Sequence, residues 1–212
     1  MIIGILMAGG KGTRLNTPVE KPLYEFNNKN LLSCTLSNLL KSNVDIVIIA
    51  LSPHTIDTKN FLVNHGCKEF KDLSQEVSYI VTPGEGYIKD YNFLLSLLES
   101  FSRDNTVFSI NVDLPLVSED IINSILLEYE CQDRDALSVF VPEELFIEWD
   151  IDYGYAFDGI VPTGVNIVRS ENIIQEQTDL VVSDKPQLAL NINTIHNHKI
   201  AKKFIKENKQ LK

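Results

Sequence analysis

The segment from Val44 to Leu51, VDIVIIAL, is almost continuously apolar and rich in β-branched residues. A strand with one wet face would carry a polar residue at every second position. This one instead reads as a strand covered on both faces, the situation of a central strand in a parallel sheet. Ile2–Met7, Val77–Val81, Thr106–Val112 and Ala136–Val141 read as further strands. Between them lie stripes at helical spacing: Leu32, Leu36, Leu39 and Leu40; then residues 55–65; then Leu94, Leu97, Leu98 and Phe101; then Ile121, Ile122, Ile125, Leu126 and Tyr129 behind an N-capping Ser118. Residues 160–168, interrupted by Pro162-Thr163-Gly164, and residues 187–192 complete the strands, and a Lys-rich helix follows. Alternation of this kind predicts an α/β fold: a single-domain, Rossmann-like three-layer sandwich with a mostly parallel sheet. Residues 142–158, acidic and aromatic, stand apart from that pattern and read as a lid or acceptor-facing insertion outside the α/β core.

A chain of 212 residues is long enough for one substantial core, so 1–212 is expected to form one domain. The formal charge of −10 makes nucleic acid a poor partner. No apolar run is long enough to cross a bilayer, and the apolar start lacks a basic leader, so a cytoplasmic protein without a membrane span is expected. Cys34, Cys67 and Cys131 match no zinc spacing, and His196 and His198 have no third ligand nearby.

The segment Leu6-Met7-Ala8-Gly9-Gly10-Lys11-Gly12-Thr13-Arg14-Leu15 follows the first strand. Ligands of open α/β sheets bind beyond the carboxyl ends of the strands. Three glycines let the backbone approach a triphosphate and turn N–H groups toward it, while Lys11 and Arg14 offset phosphate charge. Lys11 is followed by Gly12, so the segment is not a P-loop, and it does not meet G-x-G-x-x-G. Glu20-Lys21-Pro22-Leu23 adds a second lysine, pinned before a proline. Alone, Lys21 would be a solvated side chain; after the glycine loop it is a candidate grip on the α-phosphate or on an acceptor phosphate.

Together, LMAGGKGTRL and EKPL resemble the signature of nucleotidyltransferases that include the sugar-nucleotide pyrophosphorylases and the molybdenum-cofactor guanylyltransferase. TPGEGYIKDYN at 82–92, INVDLPLVSEDI at 110–121, PTGVNIV at 162–168 and ALNINT at 189–194 extend the resemblance almost to the last helix. The glycine-tyrosine segment and Pro-Thr-Gly-Val-Asn are most similar to the archaeal branch that transfers GMP from GTP to adenosylcobinamide phosphate in cobalamin biosynthesis.

That resemblance implies a nucleotide-diphospho-sugar transferase-like fold and a set of site residues. Asp113, in Asn-Val-Asp-Leu-Pro at a strand end, is the expected ligand of Mg²⁺, which typically takes one or two protein carboxylates; its alternative is a turn or capping aspartate, a role Ser118 is better placed to fill. Asn193 is the implied second ligand, with Asn191 its neighbour. Lys11, Arg14 and Lys21 are expected to hold phosphates. The nucleotide is expected along Leu6, Ala8, Gly9, Gly10, Gly12 and Thr13. Its base is expected between a wall at Ala50–Pro53, Ser52 included, and the Thr82–Tyr87 turn with Pro83, Gly84, Glu85 and Gly86, where the Glu85 carboxylate or the glycine backbone would meet guanine. Tyr87, Asp90, Thr163, Gly164 and Asn166 are expected to face the acceptor, with the aromatics around Trp149 and Tyr153 as a cover or as a flap packed on itself. Two rivals remain: a nucleotidyltransferase acting on a molybdopterin, phosphosugar or phospholactate, and a nucleotide-binding protein without turnover. The sequence sets no oligomeric state, and a homodimer stays open.

Overall fold

The computed structural model describes residues 1–209. Its centre is an eight-stranded sheet in the order β10-β8-β9-β7-β1-β4-β6-β5. The strands are β1 (Ile2–Met7), β4 (Ile46–Leu51), β5 (Lys68–Glu69), β6 (Val77–Val81), β7 (Thr106–Asn111), β8 (Ala136–Pro142), β9 (Ile160–Arg169) and β10 (Gln177–Val181). A separate short hairpin pairs β2 (Glu25–Phe26) with β3 (Lys29–Asn30). Only β9 runs against its neighbours, antiparallel to both β7 and β8; the other pairings in the large sheet are parallel.

The sheet is sandwiched by helices. All six residues of β4 are buried, as its unbroken apolar run requires, and each of its Ile, Val and Leu side chains contributes about 2 kcal/mol through burial. One face packs with Leu31, Leu32 and Leu39 of α1 (Leu31–Lys41) and Ile121, Ile122 and Ile125 of α4 (Glu119–Glu130). The other face, carrying Ile3, Ile5, Ile46 and Ile48, packs with Leu94, Leu95 and Leu98 of α3 (Tyr87–Glu99). The cap of α1 is Asn30, whose side chain accepts the Ser33 N–H at 2.7 Å. Ser118 does precede α4, but its side chain makes no capping bond there.

Three expectations change. Residues 187–192 are not a strand: a 3-10 turn spans Pro186–Leu188, and Leu188, Ala189, Leu190 and Ile192 are all buried without a ladder. Consecutive burial, not alternation, marks this segment. Two strands of the sheet lie where none is expected: β10, a polar edge strand (QTDLV) half open to solvent, and the two-residue β5 at the opposite edge. The 142–158 segment is not wholly outside the core. It contains α5 (Glu143–Glu148), and Phe146 and Ile151 are buried in the main cluster with Trp149 packed against it. Only its far part projects, with Tyr155 68% and Phe157 67% exposed. The last element among the described residues is α6 (Ile195–Lys209). No helix among the described residues is long and apolar enough to cross a membrane.

Candidate nucleotide and metal site

The chain leaves β1, adds β4 and β6 on one side, then returns to place β7 on the other. The sheet order thus reverses between β1 and β7, the position where open α/β sheets leave a crevice at the strand ends. A cleft of about 640 Å³ opens there, within the range of small-molecule sites. The glycine loop after β1, the turn after β6 and Asp113 after β7 all border it.

The loop owes its shape to what surrounds it. Ala8 N–H continues the ladder to Ala50 O at 2.8 Å, and Ser52 Oγ donates to Gly9 O at 2.7 Å. Gly12 has φ +62°, and a Cβ there would lie 2.6 Å from Lys21 Cβ. Its lack of a side chain therefore lets Lys21 pack against the loop. Leu15, buried, pins the 3-10 turn Thr13–Leu15 that follows. Lys11, Thr13 and Arg14 are exposed at the rim.

Glu20 fixes the start of the Lys21 turn. Its carboxylate accepts the N–H groups of Asp57 at 2.9 Å and Thr58 at 2.8 Å, and the Thr58 hydroxyl at 2.6 Å. It therefore caps α2 (Ile56–Asn64) from a distant part of the chain, at the positive end of the helix dipole. From this anchored turn Lys21 Nζ reaches Asp113 Oδ2 and Asn193 Oδ1, each at 2.6 Å. The lysine and aspartate side chains are 12% and 11% exposed. Asp113 is itself well held: Thr35 Oγ1 of α1 donates to the preceding carbonyl, Val112 O, at 3.2 Å, and Asp113 O accepts Ile192 N–H at 2.8 Å.

Across the cleft, Asp90 holds the turn after β6. Its Oδ1 accepts Gly84 N–H at 2.8 Å and Glu85 N–H at 3.3 Å. Asp90 thus shapes this wall of the cleft through backbone bonds. Glu85 is exposed and its carboxylate pairs with Lys89 at 2.9 Å.

Several expected contacts lie elsewhere. Leu6 and Ala8 point into the core and Met7 borders the cleft instead, as the two-residue period of a strand demands. Ser52 is buried and spends its hydroxyl on the loop, while Pro83 is exposed outside the cleft. Thr163 is buried; its Oγ1 donates to Val139 O at 2.9 Å and accepts Val165 N–H at 3.1 Å, holding a bulge where β9 slips against β8. Asn191 accepts from Asn197 Nδ2 at 3.0 Å, which leaves Asn193 as the asparagine beside Asp113.

Gly164 and Asn166 sit next to the cleft on β9. Asn166 Oδ1 accepts from Ser138 Oγ at 2.9 Å, and its Nδ2 donates to Tyr87 OH at 3.4 Å. Tyr87 stacks on Tyr91, their rings 5.8 Å apart and 6° from parallel. Ser138, Phe140, Pro162 and Asn166 give this side of β8 and β9 a half-open face. Gly164 has φ +82°, and a Cβ there would stand 2.2 Å from Asn111 Nδ2. Gly164→Ala is therefore expected to displace Asn111 and to lower stability by about 1–3 kcal/mol through backbone strain. Denaturant unfolding checks the stability, and turnover should fall with it because Asn111 borders the cleft beside Asp113.

Met7, His54, Asn111 and Val112 also border the cleft and had no assigned role. Asn111 lies within the Asn-Val-Asp motif itself, and His54 directly follows the Ala50–Pro53 wall. Those neighbourhoods are the signals that could have found them.

Comparison with known proteins agrees with this architecture. The MobA-like NTP transferase domain model matches residues 4–150. An adenosylcobinamide-phosphate guanylyltransferase from Methanocaldococcus jannaschii is 36% identical over 208 residues, covering 96% of this chain and 97% of that protein. Among solved structures, HddC from Yersinia pseudotuberculosis complexed with GMP-PN superposes with a TM-score of 0.65 at 15% identity, covering 96% of this chain and 100% of that one. A 4-diphosphocytidyl-2C-methyl-D-erythritol synthase from Anaerococcus prevotii gives 0.66 at 11% identity, covering 97% and 96%. With its site at the switch point of a matching fold and a relative similar along nearly its full length, the chain belongs to the MobA-like NTP transferase family of nucleotidyltransferases.

Proposed function

We propose that the chain transfers GMP from GTP to adenosylcobinamide phosphate, releasing pyrophosphate and forming adenosylcobinamide-GDP. The observation that carries the reaction type is the convergence of Lys21, Asp113 and Asn193 beside the glycine loop. The acceptor is suggested by the relative that matches along nearly its whole length.

Enzymes of this family typically work with a divalent cation. The residues fit one: a carboxylate oxygen and an amide oxygen converge on a single point, both hard donors, and Mg²⁺ commonly takes few protein ligands beside its phosphates. Asp113 and Asn193 would hold it, and when bound it neutralises charge on the triphosphate. The Lys21 ammonium now takes those same oxygens. With nucleotide bound, Lys21 would exchange them for phosphate oxygens, joining Lys11, Arg14 and the loop N–H groups around the triphosphate.

The acceptor's phosphate oxygen attacks the α-phosphorus. The bond from that phosphorus to the bridging oxygen breaks, and its electron pair leaves with pyrophosphate. The attacking phosphate is ionised at neutral pH, so positioning and charge neutralisation carry the reaction. The guanine would lie between His54 and the Thr82–Gly86 turn, and the acceptor over the half-open face beside Tyr87 and Asn166, within reach of the projecting aromatics.

A pyrophosphate-release assay tests the reading. GTP, ATP, CTP and UTP are each supplied with Mg²⁺, alone and with adenosylcobinamide phosphate, a phosphosugar, a molybdopterin or phospholactate. Release is expected with GTP and the corrinoid, at least tenfold above every other pair. Faster release with another acceptor would reassign the substrate.

A further inference from the structure

Asn193 belongs to an irregular segment between the Pro186–Leu188 turn and α6, where no ladder fixes the backbone. One restraint comes from Ile192 N–H, bonded to Asp113 O. The other centres on Asn197, in the first turn of α6 and fully buried. Its Oδ1 accepts Asp152 N–H at 2.8 Å. Its Nδ2 donates to Asp152 O at 2.9 Å and to Asn191 Oδ1 at 3.0 Å. Its own N–H donates to Thr194 Oγ1 at 3.1 Å, and that hydroxyl donates to Asp152 Oδ2 at 2.8 Å.

Asn197 thus grips both flanks of Asn193, residue 191 on one side and residue 194 on the other. It also binds the base of the projecting segment at Asp152, whose neighbour Asp150 accepts from His196 Nε2 at 2.6 Å. A buried amide carries a desolvation cost that a similarly sized apolar side chain would avoid. Here both ends of the amide are engaged, and every bond runs to the Asn193 segment or to the segment leading to Tyr153.

We propose that Asn197 is a positioning residue: it clamps the Asn191–Thr194 segment to the base of the aromatic flap and thereby holds the Asn193 amide oxygen where, with Asp113, it meets the Lys21 ammonium. This rests on the assignment of Asn193 and Asp113 as the cation site. Groups that orient metal ligands from behind change metal affinity about 10–100-fold when removed. The flap and the cation site are then one mechanical unit.

The test measures Mn²⁺ binding by electron paramagnetic resonance on GTP-loaded wild type, Asn197→Ser and Thr194→Val. Thr194→Val removes the hydroxyl and keeps the volume, so it carries the test if Asn197→Ser fails to fold. GTP binding is measured in parallel by calorimetry in chelator. The expected result is Mn²⁺ affinity weakened at least tenfold in the variants, with chelator-measured GTP affinity within twofold of wild type. Mn²⁺ affinity within twofold of wild type in the folded variants overturns the proposal alone. Failure of GTP-loaded wild type to bind Mn²⁺ overturns it together with the assignment of the cation site.

Discussion

Asp113→Asn is expected to lower kcat about 10³-fold, the size of effect seen when a group stabilising transition-state charge is removed. The amide keeps the volume and an oxygen that can accept from Lys21, so only the charge is lost. The side chain is partly buried, and its ion pair with Lys21 is short. The change therefore weakens the fold by about 1–3 kcal/mol, less than the stability of an ordinary domain. Circular dichroism should show an intact fold beside near-complete loss of magnesium-dependent pyrophosphate release. More than a tenth of wild-type turnover in the folded variant would remove Asp113 from the reaction.

Lys21→Met separates two roles. Without the ammonium, charge on the triphosphate is less well offset, and kcat should fall about 10²–10³-fold. Asp113 and Asn193 also lose the cation that now joins them. Their oxygens then become available, so nucleotide-free Lys21→Met should bind Mn²⁺ more tightly than nucleotide-free wild type. Methionine retains most of the packing against Gly12, which keeps the loop in place. Lower turnover without a gain in Mn²⁺ affinity would mean that Lys21 and the cation do not compete.

Much of this was legible because burial on both faces leaves a mark. β1 and β4 are central strands with helices over both faces, and their apolar runs announce them. β10 is half open, so QTDLV carries no such run. The segment at 187–192 misled for the opposite reason: it is apolar because it is buried in the main core cluster, not because it pairs. In the site, the glycine loop and Asp113 could be placed from strand ends alone. The Lys21 contacts to Asp113 and Asn193 span 92 and 172 residues, and no local pattern records them. Glu20 stands in the sequence only as the neighbour of Lys21, yet it reaches 37 and 38 residues along the chain to cap α2. The crowding of Gly164 by Asn111 is likewise a product of strand pairing, invisible in spacing.

The most direct measurement is a crystal structure of the protein with GTP and Mg²⁺. The triphosphate is expected along Gly9–Arg14, the base beside His54 and the Thr82–Gly86 turn, the cation on Asp113 and Asn193, and Lys21 turned from those residues onto phosphate. GTP bound elsewhere, or bound in this cleft with Lys21 still joined to Asp113 and Asn193, would contradict that arrangement.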